Sequence, residues 1–596
     1  MTYRSPVADI LFSLKAVAGL SEFIGAKLDG EFDWETIASV VSEAGRFATE
    51  EIAPLNRSAD TVGATYANGA VISPPGFADA YRRWAEAGWG GVSAPSEFGG
   101  MALPHLVNVA CTEIWNGASM AFALCPLLTE SAIGALKAYG SKDLLDVYLE
   151  AMISGRWTGT MNLTEAQAGS DLNGIRTRAE RADDGTYRLF GEKIFITYGE
   201  HDLAENIVHL VLARLPGAPA GTRGLSLFLA PKFLVNPDGS LGASNDLRCA
   251  SIEHKLGIHG SPTCVMIFGE SEGAKAWLIG EENRGLAAMF VMMNAARLAV
   301  GTQGVAIAER AYQQALEFAR ERRQGRSAKG GEGMAPIIEH PDVQRMLMTM
   351  KASVHAARGI CHLTAASLDL ASHGRTEAER TAGANRAALL TPIAKAFSTD
   401  LGDEATSLGV QIHGGMGFIE ETGAAQHMRD SRIAAIYEGA NGIHGIDLVL
   451  RKLPLAGGAT ARNEVNEMRD VARAVSERGG ADFGATSARL SEAAEALDQA
   501  TRAMQIWLSS DTESALAGAS PYLRLFGLTL GGACLAKAGL AAQALAREGD
   551  DSELARVALA RFYAEKLLPV APGLNRIVAS GAGAMKSYES VLADSI

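Results

Sequence analysis

At 596 residues the chain is too long for one hydrophobic core and has to divide into several domains. Its 47% hydrophobic and 20% charged residues are those of a globular protein, and 6% aromatics with abundant alanine and leucine favour helix. A net charge of −14 without a long basic run argues against a nucleic-acid surface or an anionic-membrane surface. Six cysteines (Cys111, Cys125, Cys249, Cys264, Cys361, Cys534) lie far apart with no CxxC pair, so they read as buried thiols in a reducing compartment, neither disulfides nor a metal site.

Asp9, Lys15 and Glu22 interrupt the first apolar segments, which is unlike a signal peptide. Residues 1–160 read as helical, with apolar residues at three and four spacing over Trp34–Ala53, Gly76–Gly88, Val107–Trp115 and Thr129–Tyr139, and a loop at Pro95–Gly100. Over 161–284 the period shifts toward two. Tyr187–Thr197 reads as a hairpin or a bulged strand, and Asn206–Leu215, Leu225–Ala230 and Cys264–Gly269 as further strands between turns. Helix resumes over 285–455: Gly304–Arg323 is amphipathic, His340-Pro341-Asp342 opens a second helix, and Thr391–Gly409 is a third that Gln411–Phe418 breaks. Leu455–Ala459 reads as a linker to an alanine-rich helical region, 460–596, which carries 14 Lys+Arg against 17 Asp+Glu and so is not a basic appendage. The uncharged stretch Leu525–Ala536 is too short and glycine-rich to span a bilayer. A soluble, cytoplasmic protein without a membrane span is the expectation.

Four stretches offer chemistry. Leu163-Thr164-Glu165-Ala166-Gln167-Ala168-Gly169-Ser170-Asp171 is a turn of small residues with hydroxyls at both ends. Its N–H and O–H donors suit the polar edge of a ring or a phosphate as well as they suit a surface turn. No GxxxxGK[ST] or strand-borne GxGxxG pattern is present, so neither a P-loop nor a Rossmann site is indicated. Arg322, Arg323 and Arg326 either complement a helix dipole or meet a pyrophosphate, and Gly414, Gly415 and Gly417 either turn the chain or admit a close approach. Glu438, in Ile436-Tyr437-Glu438-Gly439-Ala440-Asn441-Gly442-Ile443, is a lone carboxylate among small and apolar residues. It reads as a solvated loop glutamate or, partly stripped of water, as a general base.

In this order and spacing, with Ile194-Phe195-Ile196-Thr197 and Met428-Arg429-Asp430 between them, these motifs make residues 40–455 resemble the acyl-CoA dehydrogenase family. The resemblance implies an N-terminal helical domain, a middle β domain and a C-terminal four-helix bundle, to which this chain adds a helical C-terminal domain. It implies FAD, with Met161, Leu163, Thr164, Phe195 and Thr197 lining the flavin ring, Ser170 near the flavin and the CoA arm, and Arg322, Gln411 and Gly415 reaching the FAD of a second subunit. Asn294 and Arg297 match positions that bind the CoA portion. Glu438 would remove the α-proton of an acyl-CoA thioester, its own N–H and the following Gly439 facing the substrate, while the β-hydrogen leaves as hydride to flavin N5. No metal is needed, and electron-transfer flavoprotein is the acceptor the family implies.

Several positions depart from the usual family pattern: Phe195 stands for a tryptophan, Arg323-Gln324-Gly325-Arg326 lacks an aromatic residue, Ala440 replaces a hydroxyl residue and Ala166-Gln167 replace Pro-Gly. Long members with the Tyr-Glu-Gly-Ala/Thr-Asn-Gly-Ile motif and both extensions act on 3-methylmercaptopropionyl-CoA or on a broad range of fatty acyl-CoAs. Either substrate is expected here, in a homodimer that binds no nucleic acid. An acyl-CoA oxidase, a DNA-associated family member and an inactive scaffold are the rival readings. The acidic tail opposes the second and the intact Glu438 the third.

Overall fold

Strand and helix periods alternate along this chain as they do in the computed structural model, which describes residues 3–27, 32–330, 333–547, 549 and 552–593. The chain forms two compact units, one built on Glu43–Ala299 and the other on Pro6–Ser42 with Val300–Ile596. The fold is mainly helical with a middle β region and an extra C-terminal helical region, as the sequence indicates.

In the first unit the helices Phe77–Glu86, His105–Ala118, Met120–Tyr139 and Lys142–Ile153 precede the sheet. Ser119 and Ser141 cap the last two, their hydroxyls accepting from Phe122 N and Leu144 N. The expected Trp34–Ala53 helix ends as an α-helix at Phe47 and continues as a π turn, Ala48–Ile52, and a 3-10 turn, Ala53–Leu55. Pro54, which has no N–H and crowds the preceding turn, is the reason.

Eight strands make one sheet. Along its path run Leu247–Ile252, Thr263–Phe268, Tyr187–Thr197, Ala274–Ile279, Leu225–Pro231, Asn206–Arg214 and Trp157–Asn162, with Arg178–Arg181 paired beside Tyr187–Thr197. Trp157–Asn162 escapes a sequence reading because it lacks alternation. It pairs parallel with Asn206–Arg214 and every residue but Met161 is buried, and burial on both faces removes the period of two.

In the second unit three long helices run Gly285–Glu321 (its part from Val300 onward), Pro341–His373 and Glu377–His413, of 37, 33 and 37 residues. The last is twice the length expected from its apolar run. A capping box between Thr376 and Glu379 starts it, and Gly414 at φ 59° ends it. Ala456, Gly457 and Gly458 are all left-handed and turn the chain into Ala459–Arg478.

The helices Thr486–Ser510, Ala519–Arg547 and Ala555–Lys566 follow. Ala519–Arg547 lies on both Pro341–His373 and Glu377–His413. There Arg524 pairs with Glu404 at 2.7 Å and stands over the Phe397 ring. The N-terminal helix Val7–Ala16 joins the same unit: Asp9 pairs with Arg556 at 2.7 Å, and Ser13 Oγ meets His362 Nδ1 at 2.9 Å.

One sequence expectation needs correction. Leu525–Ala536 is not an isolated short stretch but the middle of a 29-residue helix, long and apolar enough to cross a membrane, as are Met120–Tyr139 and Gly285–Glu321. In Met120–Tyr139 and Ala519–Arg547, 83% of the most apolar window is buried within the protein. In Gly285–Glu321 the buried share is 56%.

Candidate active site

In the first unit the Thr164–Asp171 turn and the end of the Tyr187–Thr197 strand are brought together by hydrogen bonds. Glu165 and Ala168 exchange backbone bonds of 3.0 and 2.9 Å around Ala166-Gln167, and Ile194 N donates to the Thr164 carbonyl at 2.9 Å. The strand carries one extra residue here. Cys264 stands opposite Ile196 and Met266 opposite Lys193, so a bulge lies between them that contains Phe195. Phe195 sits at φ 60° with 58% of its surface exposed, a left-handed aromatic held out of the sheet. Leu163 is buried, Met161, Thr164 and Thr197 are half-buried, and Ser170 is exposed.

A buried ion pair fixes this corner. Lys193, fully buried, donates to the Leu163 carbonyl and to Glu165 Oε1, each at 2.9 Å. Glu165 also accepts from Arg176 N (2.7 Å), Thr177 N (3.0 Å) and Thr177 Oγ1 (2.6 Å). Burial works to raise the Glu165 carboxyl, but the Lys193 ammonium and the Thr177 hydroxyl bring it down to about 2. Burial draws Lys193 down to about 8 against the pull of Glu165. In the same unit Arg297 Nη1 donates to Asn294 Oδ1 at 3.2 Å, Asn294 being exposed and Arg297 buried.

In the second unit Glu438 stands at φ 54° and Gly439 at φ 92°, between the 3-10 turn Arg432–Ala435 and the helix Asn441–Asp447. Two successive left-handed residues, one of them a glutamate, persist only where their surroundings hold them. Three contacts do so. His444 Nε2 donates to the Glu438 carbonyl at 3.1 Å, and Lys395 Nζ donates to the Gly439 carbonyl at 2.8 Å. Tyr437 Oη donates to Gln303 Oε1, a side chain fully buried in the Gly285–Glu321 helix. Burial, with the adjacent Glu438 carboxylate, holds the Tyr437 phenol well above its usual range, so it keeps the proton it donates. Glu438 itself is half-buried.

Arg322, Gln411 and Gly415, all exposed, lie elsewhere in this unit. The Phe318 ring stacks on His413 at 4.4 Å, which sets the end of the Gly285–Glu321 helix beside the Gly414–Phe418 turn and so makes neighbours of the segments carrying these three residues. Met416, Phe418 and Ile419 are exposed on that turn.

Family models cover the chain almost end to end. The acyl-CoA dehydrogenase N-terminal, middle and C-terminal domains match residues 35–156, 160–270 and 283–453, and an acetyl-CoA dehydrogenase C-terminal-like domain matches 464–587. The chain is 48% identical to the 3-methylmercaptopropionyl-CoA dehydrogenase of Ruegeria pomeroyi, over 95% of this chain and 96% of that protein. Its fold resembles that of Caenorhabditis elegans ACDH-11 in complex with C11-CoA (TM-score 0.78, 20% identity, 100% of this chain and 96% of that one). An acyl-CoA dehydrogenase from Bacillus anthracis complexed with FAD is also similar (TM-score 0.73, 20% identity, 95% and 92% covered). The chain belongs to the acyl-CoA dehydrogenase family. It is an oxidoreductase that uses FAD to dehydrogenate an acyl-CoA.

Lys193, Lys395, Gln303 and His444 went unnoticed in the sequence. A lysine inside an apolar strand (Lys193) or helix (Lys395) was the available signal, since a buried ammonium must have fixed acceptors.

Proposed function

We propose that Glu438 is the general base of the α,β-dehydrogenation and that the acyl group is 3-methylmercaptopropionyl, giving the methylthioacryloyl thioester. The observation that carries the base assignment is the turn itself: a half-buried carboxylate in a left-handed backbone fixed by Lys395, His444 and the Tyr437–Gln303 bond. A base must be held at one place to take one proton, and such a turn holds it. The negative charge that develops on the thioester carbonyl is met by the Glu438 N–H, a donor whose direction the same turn sets.

The residues of the first unit fit an isoalloxazine ring. An exposed phenyl ring in a bulge offers a flat apolar face, and Thr164, Thr197 and Ser170 offer hydroxyls for polar edges. Met161, Leu163, Thr164, Ser170, Phe195 and Thr197 would hold it, with Arg322, Gln411 and Gly415 reaching the cofactor of a second subunit and Asn294 and Arg297 the CoA moiety. The bound flavin supplies the acceptor of the β-hydride. The substrate assignment is supported by the 48% identity over nearly the whole length. The four segments 1–160, 161–284, 285–455 and 460–596, a cytoplasmic homodimer without a membrane span, and electron-transfer flavoprotein as acceptor belong to the same reading. Buried free thiols and buried apolar helices support the compartment.

Glu438→Gln is nearly isosteric and cannot accept a proton. It is expected to keep FAD and bind substrate but lose turnover by about 10²–10⁴-fold or more. Near-normal activity would require another base, with Glu420 and Glu421 the first to test. Steady-state kinetics across a panel of acyl-CoAs should place 3-methylmercaptopropionyl-CoA at the highest kcat/KM. A preference for an unsubstituted fatty acyl-CoA would overturn the substrate.

A further inference from the structure

We propose that Lys395 is a positioning residue for Glu438, acting through Gly439 and Asn441. The inference rests on the assignment of Glu438 as base and deepens it. Lys395 is fully buried in the Glu377–His413 helix and aims its ammonium at the turn, not at solvent. It donates to the Gly439 carbonyl and to Asn441 Oδ1, both at 2.8 Å.

The Asn441 amide is itself oriented. Its Nδ2 donates to Asp400 Oδ1 at 2.7 Å and to the Ala396 carbonyl at 3.2 Å, two groups that can only accept, and to Thr399 Oγ1 at 2.9 Å. Oδ1 must therefore face Lys395, and the amide has one usable orientation. A continuous chain runs from Asp400 through Asn441 and Lys395 to the peptide carbonyl that follows Glu438.

That carbonyl is where the turn needs a hold. Rotation of the Gly439 peptide is what would release the left-handed pair into an ordinary conformation, because glycine resists neither. His444 holds the Glu438 carbonyl from the other side. With both carbonyls fixed, the peptides on either side of Gly439 are fixed, and Tyr437, anchored on Gln303, holds the chain on the N-terminal side of Glu438, so the base and its N–H are set from both directions. Both of these bonds go to the turn that carries Glu438, so through them Lys395 places the base.

The test is Lys395→Met in the FAD-loaded enzyme, which keeps an unbranched side chain one atom shorter and removes the three N–H donors. Three quantities are measured: flavin reduction in single turnover per bound FAD, substrate Kd by spectral titration, and amide exchange of residues 436–444 in the apoprotein. Displacing a base by about 1 Å costs about 10²-fold in rate, so reduction should slow by about that factor. FAD content and Kd should stay near wild type, and exchange across 436–444 should quicken. Should Lys395→Met not fold, Asn441→Leu decides, with a smaller slowing, about tenfold, expected on the same grounds. A wild-type reduction rate per bound FAD overturns the inference, as does a slowing that tracks only lost FAD or lost substrate affinity. Full turnover by Glu438→Gln removes the base and this inference with it. Faster exchange in Lys395→Met apoprotein would then show that the hold on the turn is real and the base assignment is what failed.

Discussion

Phe195 and Glu438 share a property the sequence does not announce: each is a non-glycine residue at positive φ, and each segment has a fully buried lysine close by that bonds backbone carbonyls. Around Phe195 the lysine is Lys193, and its partner Glu165 makes the corner sensitive to acid. The Glu165 carboxyl lies near 2 in the folded protein against an ordinary value of 4.5. Its stabilisation is therefore complete above about pH 4.5 and is lost as pH falls toward 2. Lys193→Met leaves a buried carboxylate without its cation, which typically costs about 3–5 kcal/mol. The expected outcome is a lower Tm and weaker FAD retention at pH 7. Lys193→Met/Glu165→Gln, which removes both charges, should recover much of the loss. Thermal melts and flavin fluorescence of the filtrate measure both. At this scale the sequence was half legible. Thr164, Ser170 and Glu438 stood out because small residues flank them. The lysines did not, because the acceptors that justify them lie far along the chain, 44 residues away for Lys395 and Gly439.

The elements that carry these residues are set by close helix approach. Gly304 of the Gly285–Glu321 helix lies so near the Glu377–His413 helix that a Cβ would stand 2.4 Å from the Ser398 carbonyl oxygen. Gln303, the acceptor of the Tyr437 phenol, is the next residue. Gly304→Ala should gain about 1 kcal/mol in helix propensity. It would also force apart two backbones that cannot rotate away, and overpacking of this kind costs about 1–3 kcal/mol, occasionally more. The clash should win: Tm falls, and turnover per bound FAD falls with it as Gln303 shifts from Tyr437. A variant more stable than wild type would show that the helices separate freely. Long amphipathic helices were legible from their period, although their ends were not. Glu377–His413 begins at a capping box outside the apolar run, and the strand Trp157–Asn162 was hidden by burial on both faces.

The whole molecule differs from a plain bundle enzyme by what lies on the bundle. Ala519–Arg547 covers a face of Pro341–His373 and Glu377–His413 with a helix that is itself mostly buried. The family resemblance implies that in shorter members a second dimer docks on the bundle, and we propose that residues 460–596 occupy that place here. The functional unit should then be a homodimer, and light scattering should return about twice 62.6 kDa. A stable tetramer at low concentration would mean that the added helices leave the docking face open. The family fold was readable from motif order; the seat of the extension was not, because an alanine-rich helix carries little information about which surface it will cover.

The bond between Asp9 and Arg556 joins residues 547 positions apart, and it has a consequence for how the protein is made. At a ribosomal pace of about 5–20 residues per second, the first helix leaves the exit tunnel roughly half a minute to two minutes before its last partner exists. Its contacts with His355 and His362 become available earlier, but the Arg556 guanidinium, which completes the surroundings of Asp9, follows about two hundred residues later. The helix Val7–Ala16 is thus made well before it can be fully seated. Its apolar side, Ile10 and Leu14, is fully covered only after both helices it packs on, Pro341–His373 and Ala519–Arg547, have emerged.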